Sequence, residues 1–206
     1  MKKKGFSLGL IAVIVVVAIL CAVGFSQYNS IVTMDEQVNT GWANVENQYQ
    51  RRLDLIPNLV ASVKGYAQHE QQTYVGLAEA RSGLQQAYVN ALSVISETAP
   101  ADEASLQQFQ QAQQKLQSAL GIYVNAVHEA YPELKADKTF LDLMTQLEGT
   151  ENRIAAERTR YNELVNNYNI KVRRFPGAIF AGMFGFSTRA QFRAEAGAES
   201  APKVEF

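Results

Sequence analysis

Hydrophobic positions change their spacing along the chain, and each change marks an element. No residue from Gly5 to Phe25 is charged, and Leu8 to Val23 is almost wholly aliphatic. That run meets the roughly 20 residues a spanning helix needs at about 1.5 Å rise each, and it exceeds the roughly 7–15-residue core of a cleavable signal peptide. Beyond it, apolar residues recur at Ile31, Val38, Trp42, Val45, Tyr49, Leu53 and Ile56. These gaps of three, four and seven predict an amphipathic helix continuing out of the membrane. Pro57 predicts its end or a kink, because proline removes a backbone donor and pushes the preceding Ile56 from helical dihedrals.

A second helix is predicted from Leu59, Val60, Val63, Tyr66, Tyr74, Leu77, Leu84 and Ile95, then a loop over 96–102 with Asp102 as N-cap. A Gln-rich third helix carries Leu106, Phe109, Leu116, Leu120, Tyr123 and Val127, and Tyr131-Pro132 breaks it. The fourth carries Phe140, Leu143, Met144, Leu147, Ile154, Tyr161, Val165, Tyr168 and Val172, and Phe175-Pro176-Gly177 closes it. Short connections between long helices favour antiparallel neighbours. The expected fold is therefore all-α: an N-terminal transmembrane helix continuing into an up-and-down antiparallel four-helix bundle. The expected boundaries are 1–4 for a cytoplasmic N-terminus, 5–25 for the span, 26–174 for the bundle, 175–186 for an apolar membrane-proximal segment and 187–206 for a flexible tail.

This arrangement puts the Pro57 turn far from the bilayer and brings the fourth helix back to it. Phe175, Ile179, Phe180, Met183, Phe184 and Phe186 then either insert at the headgroup surface or cap the base of the bundle core. At the distal turn, Arg52, Asp54 and Asn58 surround Pro57. As structure, Asp54 or Asn58 caps a helix end and an arginine–carboxylate pair fixes the bend; as function, the charged tip docks a partner.

Composition narrows the class. A formal net charge of −1 shows no basic stripe for nucleic acid. The single cysteine, Cys21, lies inside the apolar run, so no intrachain disulfide forms, and bulky Leu20 fits a lipoprotein cleavage site poorly. Lys2, Lys3 and Lys4 precede the span and Arg51 is the next basic residue, so the positive-inside rule keeps the N-terminus in the cytoplasm and sends the body across.

Candidate chemistry is sparse. His69-Glu70 and His128-Glu129 each begin a zinc-protease motif, but Thr73 and Pro132 stand where the second histidine belongs. In an antiparallel hairpin the two pairs share a level, where a metal or proton-sensitive site is conceivable; otherwise they are surface polar positions. Glu70, Arg81, Glu151 and Arg158 lie on or beside the apolar stripes and either set helix register as opposed charges or stay solvated. No phosphate loop, nucleophile arrangement or dinucleotide fingerprint appears, so no catalytic residue, cofactor or metal site is assigned.

The stretch Arg51-Arg52-Leu53-Asp54-Leu55-Ile56-Pro57-Asn58-Leu59-Val60 resembles the signature of the LemA family. Lys64-Gly65-Tyr66-Ala67, His69-Glu70, Ala80-Arg81, Tyr131-Pro132-Glu133-Leu134-Lys135-Ala136, Thr150-Glu151, Ile154, Arg158, Tyr161-Asn162, Phe175-Pro176 and Gly185-Phe186 follow in that family's order. The resemblance runs from about Tyr28 to Phe192. It implies a single-pass bacterial membrane protein with a four-helix-bundle domain, and it implies no established activity. The expectation is a non-enzymatic envelope protein of the cytoplasmic membrane, its main domain periplasmic or extracellular. Its partners would be the lipid bilayer, other envelope proteins and copies of itself; the alternative is a metal- or ligand-binding sensor at the His69/His128 level.

Overall fold

The computed structural model describes residues 3–67, 75–96, 98–100 and 102–193. Its helices are α1 (Lys3–Ala67), α2 (Val75–Ser93), α3 (Glu103–Ala130), α4 (Lys138–Arg173) and α5 (Gly177–Phe184), with a 3₁₀ turn over Pro132–Ala136. No strand occurs among the described residues. The all-α expectation holds, and α1 carries the apolar run directly into the bundle without a break.

The expected turn at Pro57 does not form. Pro57 lies inside α1, which runs on to Ala67, so the connection to α2 falls after that residue. An interior proline costs about 3 kcal/mol. On the opposite face of the same stretch Leu53, Ile56, Leu59 and Val63 are all buried, each worth about 1.5–3 kcal/mol against exposure. Burial of that face outweighs the defect, and the pyrrolidine ring is left on the solvent side. Asn58 Nδ2 adds a bond to the Asp54 carbonyl at 3.3 Å on the same exposed side.

Asp102 caps its helix as predicted, and a second aspartate cap, not anticipated, begins α4. Asp102 caps α3, its carboxylate accepting from the Ser105 amide at 2.7 Å, which holds the carboxyl below its usual range. Asp137 caps α4 by accepting from the Phe140 amide at 2.8 Å. Every residue named for the α3 stripe is buried, as are Ile31, Val38, Trp42, Val45, Tyr49, Leu53 and Ile56 on α1.

Packing divides into two storeys. The upper core joins all four long helices through Leu53, Leu59, Leu84, Leu116, Val127 and Phe140. The lower core gathers Val38, Trp42, Phe109, Tyr161, Tyr168 and Phe192. Trp42 Nε1 donates to the Ser96 carbonyl just past α2, which marks the lower limit of that helix. Below this level α1 and α4 continue, antiparallel and close, with only the first turns of α3 beside them. A Cβ on Gly41 would come within 2.7 Å of Leu164 Cδ1, so glycine makes room for the Leu164 side chain here.

The lower storey is completed by residues expected to be a tail. After α5, Gly185 takes the left-handed conformation (φ 78°) and the Phe186 amide donates to the Ala181 carbonyl at 2.9 Å. The chain then returns upward along α1 and α4 as an extended strap over residues 186–193. Asn169 donates to the Arg189 carbonyl and accepts from its amide, both at 2.9 Å. Asn162 does the same for Phe192, at 2.9 and 2.8 Å. The spacing explains the fit: seven helical residues rise about 10.5 Å and three extended residues span about 10 Å. Arg189 adds a bidentate pair with Asp35, its nearest contact 2.9 Å, and Phe192 stacks on Trp42. The tail expectation is therefore corrected for 187–193; the remainder lies outside the described residues.

Burial pushes the Tyr123 and Tyr161 hydroxyls up to about 12. The folded state then keeps both protons between about pH 10 and 12 while the unfolded chain loses them, so stability is fully present below pH 10 and falls as pH rises through the folded value. Denaturant titrations followed by circular dichroism should show that loss between pH 10 and 12, and Tyr161→Phe should reduce it. Separately, Asn169→Ala should speed tryptic cleavage after Arg189 several-fold while leaving cleavage after Lys135 unchanged.

Candidate functional site

Two places gather the residues singled out from sequence. The first is the junction of the long helices, and it is built around Arg52. This side chain was expected at a distal tip, but it is 1% exposed in the bundle interior. It lies about 15 residues below the end of α1, or roughly 22 Å at 1.5 Å per residue. Its Nη1 meets Glu151 Oε1 of α4 at 2.8 Å. Its Nη2 donates to Gln113 Oε1 of α3 at 2.6 Å and to the Gln113 carbonyl at 3.3 Å. Gln113 Nε2 in turn donates to the Ala91 carbonyl of α2 at 3.4 Å. One polar chain thus touches all four helices, with the guanidinium lying over the Tyr49 ring at 5.0 Å.

Burial of Tyr49 raises its pKa against the opposing pull of Arg158 and Arg52. Arg158 also stands over Phe192 of the strap at 4.7 Å, so the junction and the lower storey adjoin. Asp54, Pro57 and Asn58 do not join Arg52; they lie exposed on the outer face of α1. The expected tip cluster is therefore split, one member structural and buried, three at the surface. Of the charged residues beside the stripes, which the sequence leaves open between cross-helix pairs and solvated positions, Glu151 pairs across helices whereas Arg81 is exposed on α2. Gln113 was missed, although it continues the Leu106, Phe109, Leu116 stripe at helical spacing.

The second place is the base. Phe180 and Phe186 turn inward: Phe180 Cε1 lies 3.2 Å from where a Gly24 Cβ would be, and Phe186 sits 5.9 Å from the Tyr28 ring. Phe184 meets Tyr28 edge-on at 4.8 Å yet stays half exposed. Phe175 (77%), Met183 (71%) and Ile179 (54%) point outward. Since Gly24 closes the apolar run, α5 lies level with its end. Lys171, Arg173 and Arg174 end α4 beside it, and none of the three meets a carboxylate among the described residues.

His69 and Glu70 lie outside the described residues. His128 is half-buried, its ring packed edge-on against Phe140 at 5.7 Å. Among the described residues no group of three His, Cys, Asp or Glu is placed to hold a metal ion.

A helical body on a helix long and apolar enough to cross a membrane fits the class of membrane-anchored helical-bundle proteins. The pattern of the LemA family matches residues 41–206, and the chain belongs to that family. Similar proteins include Magnetosome protein MamQ 1 of Paramagnetospirillum magneticum, 28% identical over 95% of this chain and 77% of that one. Magnetosome protein MamQ of Magnetospirillum gryphiswaldense is 26% identical over 86% of this chain and 71% of its own length. Protein LemA of Metamycoplasma hominis is 24% identical over 79% of this chain and 67% of its own. Family and apolar helix together fit a single-pass, membrane-associated protein.

Removing Arg52 leaves Gln113 and Glu151 without their shared donor, and breaking a buried pair costs about 3–5 kcal/mol. Glu151 is 31% exposed and can turn to water, so Arg52→Ala should cost about 3 kcal/mol in denaturant unfolding. Glu151→Gln, which keeps a hydrogen bond and loses only the charge, should cost about 1–2 kcal/mol.

Proposed function

We propose that the chain is a non-enzymatic envelope scaffold. Its N-terminus lies in the cytoplasm, its span crosses the cytoplasmic membrane, and its body stands on the periplasmic or extracellular side, where it binds copies of itself and other envelope proteins. The orientation rests on Lys2, Lys3 and Lys4 before the span. The observation that carries the reading is where polar and apolar groups are spent. Arg52, Gln113 and Thr150 are the buried polar side chains among the described residues, and each is engaged in helix pairing or in its own helix backbone. None converges with a nucleophile in a cleft.

Apolar groups, by contrast, are displayed on α2 and α3. Val75 and Ile122 are exposed there, and a groove of about 780 Å³ runs between the two helices past Leu77, Ala80, Ala119 and Ile122. That face meets a second copy most readily, because a membrane confines copies to one plane and lowers the cost of association.

A cysteine at Ile122 tests this in the full chain, with Cys21→Ser as background and Thr159→Cys on α4 as the comparison. Mild oxidation in membranes should give disulfide-linked dimers from Ile122→Cys at least several-fold more than from Thr159→Cys. Equal or absent cross-linking at the two positions would remove the self-assembly reading. A photo-cross-linker at Ile122 that captures only different envelope proteins would redirect it to heterologous partners.

A further inference from the structure

We propose that the base of the body carries a binding site for one anionic phospholipid headgroup, in the cleft between α1 and α4 just above the end of the apolar run. The cleft holds about 370 Å³ and is lined by Gln27, Met34 and Gln37 of α1 and by Ile170, Lys171 and Arg174 of α4, closed below by Phe175. Its position follows from the sequence of α1. Gln27 lies two residues past Phe25, so the lower end of the cleft stands about 3 Å beyond the last apolar residue. The headgroup layer occupies roughly the next 5–7 Å on each side of the hydrocarbon.

The chemistry of the lining matches a phosphodiester bearing hydroxyls. Lys171 and Arg174 bring two cations to one cleft, and neither is neutralised by a carboxylate among the described residues. Their long stems can follow the apolar wall while the charged ends reach the phosphate. Gln27 Oε1 is buried beside them and accepts no hydrogen bond from the described residues, so it offers an acceptor for a headgroup hydroxyl. Exposed Phe175 and Ile179 continue the wall downward, where acyl chains would lie. Basic pockets beside a span bind anionic headgroups on the cytoplasmic side of membranes, and the same pairing of cation with phosphate operates wherever anionic lipid is present. Continuity with the apolar helix distinguishes this cleft from the α2/α3 groove, which has no basic residue among the described residues of its lining and lies far from the span.

The inference rests on residues 5–25 crossing the bilayer, not on self-assembly. The full chain is reconstituted in nanodiscs of phosphatidylcholine with a minor share of phosphatidylglycerol, and the lipid retained after detergent release is read by native mass spectrometry. The wild-type chain should keep one phosphatidylglycerol in preference to phosphatidylcholine. Lys171→Gln with Arg174→Gln should lower that preference on the order of tenfold. Lys135→Gln with Lys138→Gln, at the distal end, should leave it unchanged, and circular dichroism verifies that each variant folds.

An equal loss from the distal pair would overturn the site in favour of general charge attraction. Equal protection of Lys171 from acetylation by inorganic phosphate in neutral detergent would make it a free-anion site instead. No headgroup preference in a chain that still resists alkaline extraction would refute the lipid site alone, whereas extraction of the chain would refute the span as well.

Discussion

Arg52 is a charge placed where four helices meet, and the bundle is arranged to keep it bonded. An unpaired guanidinium in that position would cost several kcal/mol. Glu151, Gln113 and, one step further, the Ala91 carbonyl must therefore stand at fixed heights on α4, α3 and α2. Hydrophobic contact alone tolerates sliding by a turn, since leucines and valines recur along each stripe. The arginine does not, because one helical turn moves a partner about 5.4 Å, beyond any hydrogen bond. Register in the upper storey, and with it the height of the cores above and below, follows from this one side chain.

The two storeys have different physics. Above Trp42 the four helices supply enough apolar surface to shield one another. At and below it α2 has ended and α3 contributes only its first turns, through Leu106 and Phe109, so α1 and α4 leave one side of Trp42, Tyr161 and Tyr168 to be covered by something else. The strap meets that need with Phe192, and the asparagines at 162 and 169 satisfy peptide groups of Arg189 and Phe192. α5 and the start of the strap perform the same service lower down, covering Gly24 and Tyr28 with Phe180, Phe184 and Phe186.

Most helix faces were legible because helical spacing of apolar residues reports burial directly. α3 and α4 show this best: Leu106 to Val127 and Phe140 to Val172 read correctly, as did the cap at Asp102 and the break at Tyr131-Pro132. Pro57 misled because a local penalty was weighed without the buried face opposite it, and the misplaced turn carried Arg52 to a tip it does not occupy. The strap was illegible for another reason. Its residues Ser187 to Phe192 have no period of their own, since their partners are asparagine side chains on another element. The isolated Phe186 and Phe192 in a polar stretch were the available signal, and the LemA resemblance did extend that far.

An unbroken α1 also has a mechanical meaning. From Phe25 to Ala67 it extends roughly 60 Å beyond the apolar run at 1.5 Å per residue. Lodged in lipid at one end and locked to α4 at the other, it acts as a lever arm whose fulcrum is the bilayer. Spans accommodate local thickness by changing their tilt. A lean of about 10° would swing the far end sideways by roughly 10 Å, so the lipid around the base would set which neighbours the top can reach.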